Sequence, residues 1–109
     1  MYLNEYNIAM NTIEVTDEFR LWLKKLKDIR AKTRILARIK NAEQGNFGDY
    51  KPLGNNLYEM RIHYAQGYRL YYTQQGKTIY FLLLGGDKST QEKDIIKARN
   101  ILLTIEDSL

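Results

Sequence analysis

The stretch LYEMRIHYAQGYRLYYTQ, Leu57 to Gln74, decides the fold. Two runs rich in tyrosine, isoleucine and leucine flank Ala65-Gln66-Gly67, the composition of a β-hairpin. Side chains alternate between faces along a strand, so the turn fixes which residues share a side. A loop of Ala65 to Gly67 pairs Tyr64 with Tyr68 and sets His63 opposite Arg69, Ile62 opposite Leu70 and Arg61 opposite Tyr71. Arg61, His63, Arg69 and Tyr71 are then expected on one face. Tyr58, Met60, Ile62, Leu70 and Tyr72 fall on the other, which is apolar enough to face helices. A bulge at Gly67 would shift this pairing.

Downstream, Gln75-Gly76-Lys77 reads as a second turn and Thr78 to Leu84 as a third strand ended by Gly85-Gly86. Ser89 with Glu92 three residues on forms an expected capping box for a final helix with the stripe Ile95, Ala98, Leu102 and Ile105. Upstream, Gln44 to Asn56 carries Gly45, Gly48, Gly54 and Pro52 and reads as an irregular loop. Before it, Ile29 to Glu43 is an expected helix with Ile35, Leu36, Ile39 and Ala42 inward and Arg30, Arg34 and Arg38 on its outer face. Phe19, Trp22, Leu23 and Leu26 mark an earlier helix started by Thr16, and Asn11 to Val15 alternates like a short strand. The order strand, helix, helix, three strands, helix predicts a two-layer α+β domain over residues 10–109, with a mainly antiparallel four-stranded sheet. Residues 1–9 read as an N-terminal extension, with Met10 a candidate native start.

Composition narrows the chemistry. Apolar residues make up 44% and charged residues 28%, the balance of a globular domain. Cysteine is absent and His63 is the one histidine, which excludes thiolate chemistry and cysteine- or histidine-rich metal sites. Neither a metal nor another cofactor is expected. The longest apolar run, Ile79 to Leu84, is far below the roughly 20 residues of a membrane span, and the expected location is cytoplasmic, without membrane association. Seventeen Lys and Arg against thirteen Asp and Glu give +4, and between Arg20 and Lys40 nine basic residues face only Asp28. That balance favours a polyanion or an acidic partner.

Two arginines, a histidine and a tyrosine clustered on one sheet face suit an anion better than packing, because unpaired buried charge is costly. Arginine forks match phosphate oxygens, and tyrosine can stack on a base or move a proton, so an RNA strand uses all four groups. An exposed face balanced by Glu59 and solvent is the plainer reading of the same pattern. Lys88, where a strand passes into a helix, is a candidate rim for a phosphate site, although the glycines and Asp87 or Ser89 also serve a turn and cap. Lys51 and the stripe Arg30, Arg34 and Arg38 are further RNA-binding candidates. Gly85-Gly86-Asp87-Lys88-Ser89 lacks the GxxxxGK[ST] spacing, so nucleotide hydrolysis has no support.

Four segments together resemble a known group. They are Glu18-Phe19 with Trp22-Leu23, Asn46 to Pro52, Tyr58 to Ile62 with Gly67 to Tyr72, and Leu82 to Thr90. In order and spacing they are similar to the RelE/HigB/ParE superfamily of toxins, particularly phage-derived HigB-like addiction-module killer proteins, over about Thr12 to Leu103. The resemblance implies a RelE-like fold, ribosome-dependent cleavage of messenger RNA, and neutralisation by a helix-turn-helix antitoxin. It implies that Arg69 meets the scissile phosphate, with Arg61 on the neighbouring strand and Lys88 after the last strand. Where RelE-type enzymes present a tyrosine early in the last helix this chain has Asp94, so the base falls to His63 or Tyr71. The alternatives on the same fold are a ParE-like, non-catalytic inhibitor of DNA gyrase and a non-toxic repressor subunit.

Overall fold

A computed structural model describes residues 10–108 of the chain. Its order is β1 (Thr12–Val15), α1 (Asp17–Lys25), α2 (Ile29–Glu43), β2 (Tyr50–Gly54), β3 (Leu57–Ile62), β4 (Tyr68–Gln74), β5 (Ile79–Asp87), a 3-10 turn (Lys88–Thr90) and α3 (Gln91–Ser108). The extension read at residues 1–9 lies outside the described residues.

The domain is α+β, as expected, but its sheet has five strands in the order β1-β5-β4-β3-β2. β1 runs parallel to β5, and every other neighbour is antiparallel. The additional strand is β2, from the segment read as a loop. Its glycines and proline hid it: Pro52 tolerates an edge position, where a missing N–H leaves no central ladder bond unmade, and the register shifts between Pro52 and Gly54. β5 continues through Gly85-Gly86 to Asp87 rather than ending before them.

The two-layer expectation is also corrected, since both faces of the sheet are covered. On one face Met60, Ile62, Leu70, Tyr72 and Leu82 pack with Phe19 of α1 and Ala31, Ile35 and Ala42 of α2. On the other, Leu57, Tyr71, Leu83 and Leu84 pack with Ala98 and Leu102 of α3. The strands alternate, but the residues expected outward are tyrosine and leucine, which a second helix layer buries. β5 threads between the layers. A Cβ on Gly85 would lie 2.1 Å from the Trp22 ring of α1, so only glycine allows that helix to sit so close.

Caps set the helix starts. The Thr16 side chain accepts from the Phe19 N–H at 3.0 Å and the Asp28 side chain from the Ala31 N–H at 3.1 Å. The expected Ser89–Glu92 box is replaced by Asp87 with Thr90, because the 3-10 turn delays α3 to Gln91. Leu36, expected inward, is 50% exposed, while Arg38 takes an inward place.

Candidate functional site: a cationic cleft at the hairpin end

The β3–β4 register pairs Arg61 with Arg69, Ile62 with Tyr68 and Met60 with Leu70. This corrects the pairing of His63 with Arg69: the ladder stops at Ile62, and His63 to Gly67 form the loop. Ala65 and Gly67 hold positive φ of 52° and 78°, and Gly67 N–H donates to the Tyr64 carbonyl at 3.0 Å. The displacement is by two residues, so the face is preserved. Arg61 and Arg69 lie side by side, with Glu59 and Tyr71 next along the same face.

That face holds a carboxylate the sequence reading left in solvent. Glu59 is fully buried and accepts from Arg61 Nε at 2.9 Å and from Gln91 Nε2 of α3 at 2.6 Å. Arg69 Nε stands 3.9 Å from the same carboxylate, and the Arg69 side chain is 9% exposed. Neither guanidinium therefore projects freely from that face. Glu59 holds Arg61 inward, while a terminal nitrogen of Arg69 lies beside Gly67 at the surface loop. Two guanidiniums against one carboxylate leave a positive excess, which draws an anion to whatever side solvent reaches.

Solvent reaches it at a cleft of about 350 Å³ lined by His63, Tyr64, Ala65, Gln66, Gly67, Arg69 and Lys88. The Lys88 N–H donates to the Gly67 carbonyl at 2.8 Å, which ties the hairpin loop to the start of the 3-10 turn. A Cβ on Gly67 would lie 3.4 Å from Lys88 Cβ and 3.7 Å from Arg69 Nη1, so the two side chains flank the glycine. The Lys88 side chain is exposed. A neighbouring hollow of about 480 Å³ over Lys88–Lys93 shares Lys88, but Glu92 in its wall makes it the poorer anion site.

His63 is exposed at the mouth, its Nε2 in contact with the Asp49 carboxylate. That hydrogen bond holds the Asp49 carboxyl below the usual range, with Arg61 and Arg38 adding attraction. Tyr71 does not reach the cleft. It is fully buried beneath α3, its hydroxyl has no hydrogen-bond partner among the described residues, and burial with the nearby Glu59 pushes its pKa up.

The outlying candidates separate by position. Arg38 is a clamp: Nη1 donates to the Arg61 carbonyl at 2.6 Å, and Nη2 to the Phe47 and Asp49 carbonyls at 3.0 and 3.1 Å. It holds the segment before β2 against the end of β3, and burial lowers its pKa, so it is not part of an outer RNA-facing stripe. Arg34 lies 4.5 Å over the Tyr64 ring and so borders the cleft. Arg30 is exposed on α2, and Lys51 is exposed on the edge strand opposite Glu59. Asp94, in place of the expected tyrosine, accepts from the Thr90 hydroxyl at 2.5 Å and packs over Gly86.

Gln91 and Asp49 were missed, and Glu59, read as the counter-charge of an exposed face, is buried instead. Glu59 had a signal, since alternation put it on the face of Arg61. Gln91 and Asp49 had none, because only tertiary packing of α3 and the loop before β2 brings them in.

Fold and cleft define a small basic α+β domain that presents a lysine and an arginine at the end of a β-hairpin. The chain belongs to the family described as phage derived protein Gp49-like (DUF891), which matches residues 21–102. It is 51% identical over 87 residues to an uncharacterised protein of Haemophilus influenzae, covering 80% of this chain and 88% of that relative. No solved structure matches it. Among the described residues no helix is long and apolar enough to cross a membrane.

Proposed function

We propose that the chain is the toxin of a type II toxin–antitoxin pair, a RelE/HigB-like endoribonuclease that cuts messenger RNA on the ribosome. The observation that carries this reading is the convergence of Arg69, Lys88 and His63 on one cleft. A phosphodiester placed there meets a guanidinium and an ammonium, and such preorganised charge is usually the largest catalytic contribution. The ribose 2′-oxygen attacks the adjacent phosphorus, its proton passes to His63, and the bond to the 5′-oxygen breaks as that oxygen takes a proton from water, to which His63 later returns its own. The products are a 2′,3′-cyclic phosphate and a 5′-hydroxyl. Asp49 engages Nε2 of His63, which orients the ring and leaves the other nitrogen to take the proton. Arg61 supports the site through Glu59, and in this reading Arg34 at the cleft border and Lys51 on the edge strand meet phosphates further along the RNA strand. The partners of this reading are a helix-turn-helix antitoxin, the ribosome and its message, with no cofactor.

Primer extension on messages from cells expressing the protein tests it, with new 5′ ends within codons as the expected result. Lys88→Ala, which leaves the buried cluster intact, should lower cleavage by about 10²-fold if it stabilises charge in the transition state. Full cleavage by both Lys88→Ala and Arg69→Ala would sink the assignment.

Two observations favour a second reading, a non-catalytic inhibitor of an enzyme such as DNA gyrase. Glu59 draws on both arginines, and Asp94 stands where a catalytic tyrosine is expected. That protein would induce DNA-damage signalling while messages stay intact.

A further inference from the structure

The outer face of α2 has no role in the cleft. Ala31, Ile35 and Ala42 point into the core, which turns Ile29, Thr33, Leu36 and Lys40 outward at i, i+4, i+7 and i+11. Ile29 is 78% exposed and Leu36 50%, two large aliphatic side chains one heptad apart on a single stripe. Lys32 and Lys40 flank them, Arg30 is exposed beside Ile29, and the helix carries no acid before Glu43.

We infer that this stripe is a docking surface for an acidic amphipathic helix of a partner protein. Aliphatic residues at that spacing fit the knobs of a second helix, and the lysines and Arg30 match glutamates along its edges. The surface chooses among occupants. RNA answers the lysines but leaves Ile29 and Leu36 uncovered, and a second copy of this chain brings like charge against like. That the partner is the antitoxin rests on the function proposed above; the surface itself does not.

A fluorescein-labelled synthetic helix of about 20 residues, with leucine at a and d positions and glutamate elsewhere, is the probe. The full chain is titrated into it, followed by anisotropy at low and high salt. Wild-type protein should bind, more weakly as salt rises, and Leu36→Glu or Ile29→Glu should weaken binding at least tenfold with an unchanged circular dichroism spectrum. No binding by the wild type, or equal binding by the variants, overturns the inference. So does a single-stranded RNA of similar length that binds with the same sensitivity to Leu36→Glu.

A growth assay separates the antitoxin from the surface. Leu36→Glu should remain toxic yet escape rescue by the co-transcribed neighbour; normal rescue overturns antitoxin docking here. A harmless wild type refutes the proposed function, and the peptide titration then decides the surface alone.

Discussion

Replacing Glu59 by alanine removes the one carboxylate within a cluster of two guanidiniums. Its side chain is fully buried, that of Arg69 is 9% exposed and that of Arg61 30%, so little water can reach the cations to replace it. Breaking a buried pair in this way costs about 3–5 kcal/mol, because the remaining charge is uncompensated. Gln91 loses its acceptor as well. With native domains stable by about 5–15 kcal/mol, Glu59→Ala should remove a large part of the total. A loss of about 4 kcal/mol corresponds to roughly 20 °C in Tm for a domain of this size. Glu59→Gln keeps the shape and one acceptor but sets amide against amide at Gln91, a smaller loss of about 1–2 kcal/mol. Urea unfolding followed by Trp22 fluorescence measures both, since that ring packs against Phe19 and Tyr68 in the folded core. Adding Arg69→Met to Glu59→Ala should restore part of the loss by removing a stranded charge. A cost below about 1 kcal/mol for Glu59→Ala, or no recovery in the double variant, would refute the reasoning.

Gly85→Ala drives a methyl into the Trp22 ring and should destabilise by about 3 kcal/mol or more, whereas Gly76→Ala, with open space around it, should show only the strain of its positive φ. The two urea midpoints compare them directly. His63→Ala removes the largest cause of the low Asp49 pKa, so that carboxyl should titrate higher, near the ordinary aspartate range, by carbon-detected NMR. A depressed folded pKa adds stability above the ordinary aspartate pKa that is lost as pH falls through the lower one; His63→Ala should flatten this acid dependence. Burial raises the pKa of Tyr71 and Tyr72, which favours their neutral forms in the folded state. Stability from these two is present below the ordinary tyrosine pKa and is lost as pH rises toward the folded values. Ultraviolet titration should show them ionising only with alkaline unfolding.

The hairpin, the three helices and the shared face of Arg61 and Arg69 were legible because each rests on a local period. Three features were not. β2 was hidden by residues that signal loops, and its place on the edge explains why they are tolerated. The second helix layer was hidden because Tyr71 reads as polar by its hydroxyl, although most of its surface is apolar. The hairpin register slipped by two because Tyr64 continues the strand pattern while its N–H bonds to Ile62, the first bond of a turn. The cleft was legible as a list of cations, and its geometry came from Glu59 and Gly67, which decide how far each cation can project.

The parallel seam between β1 and β5 joins residues 12–15 to 79–82. A chain emerging from its amino end can form α1 and α2 early, yet its first strand finds no neighbour until residues 79–82 have been made. Lys88 and the wall it shares with Gly67 arrive later still. A product truncated between Glu43 and Lys88 therefore carries the basic helices without the cleft.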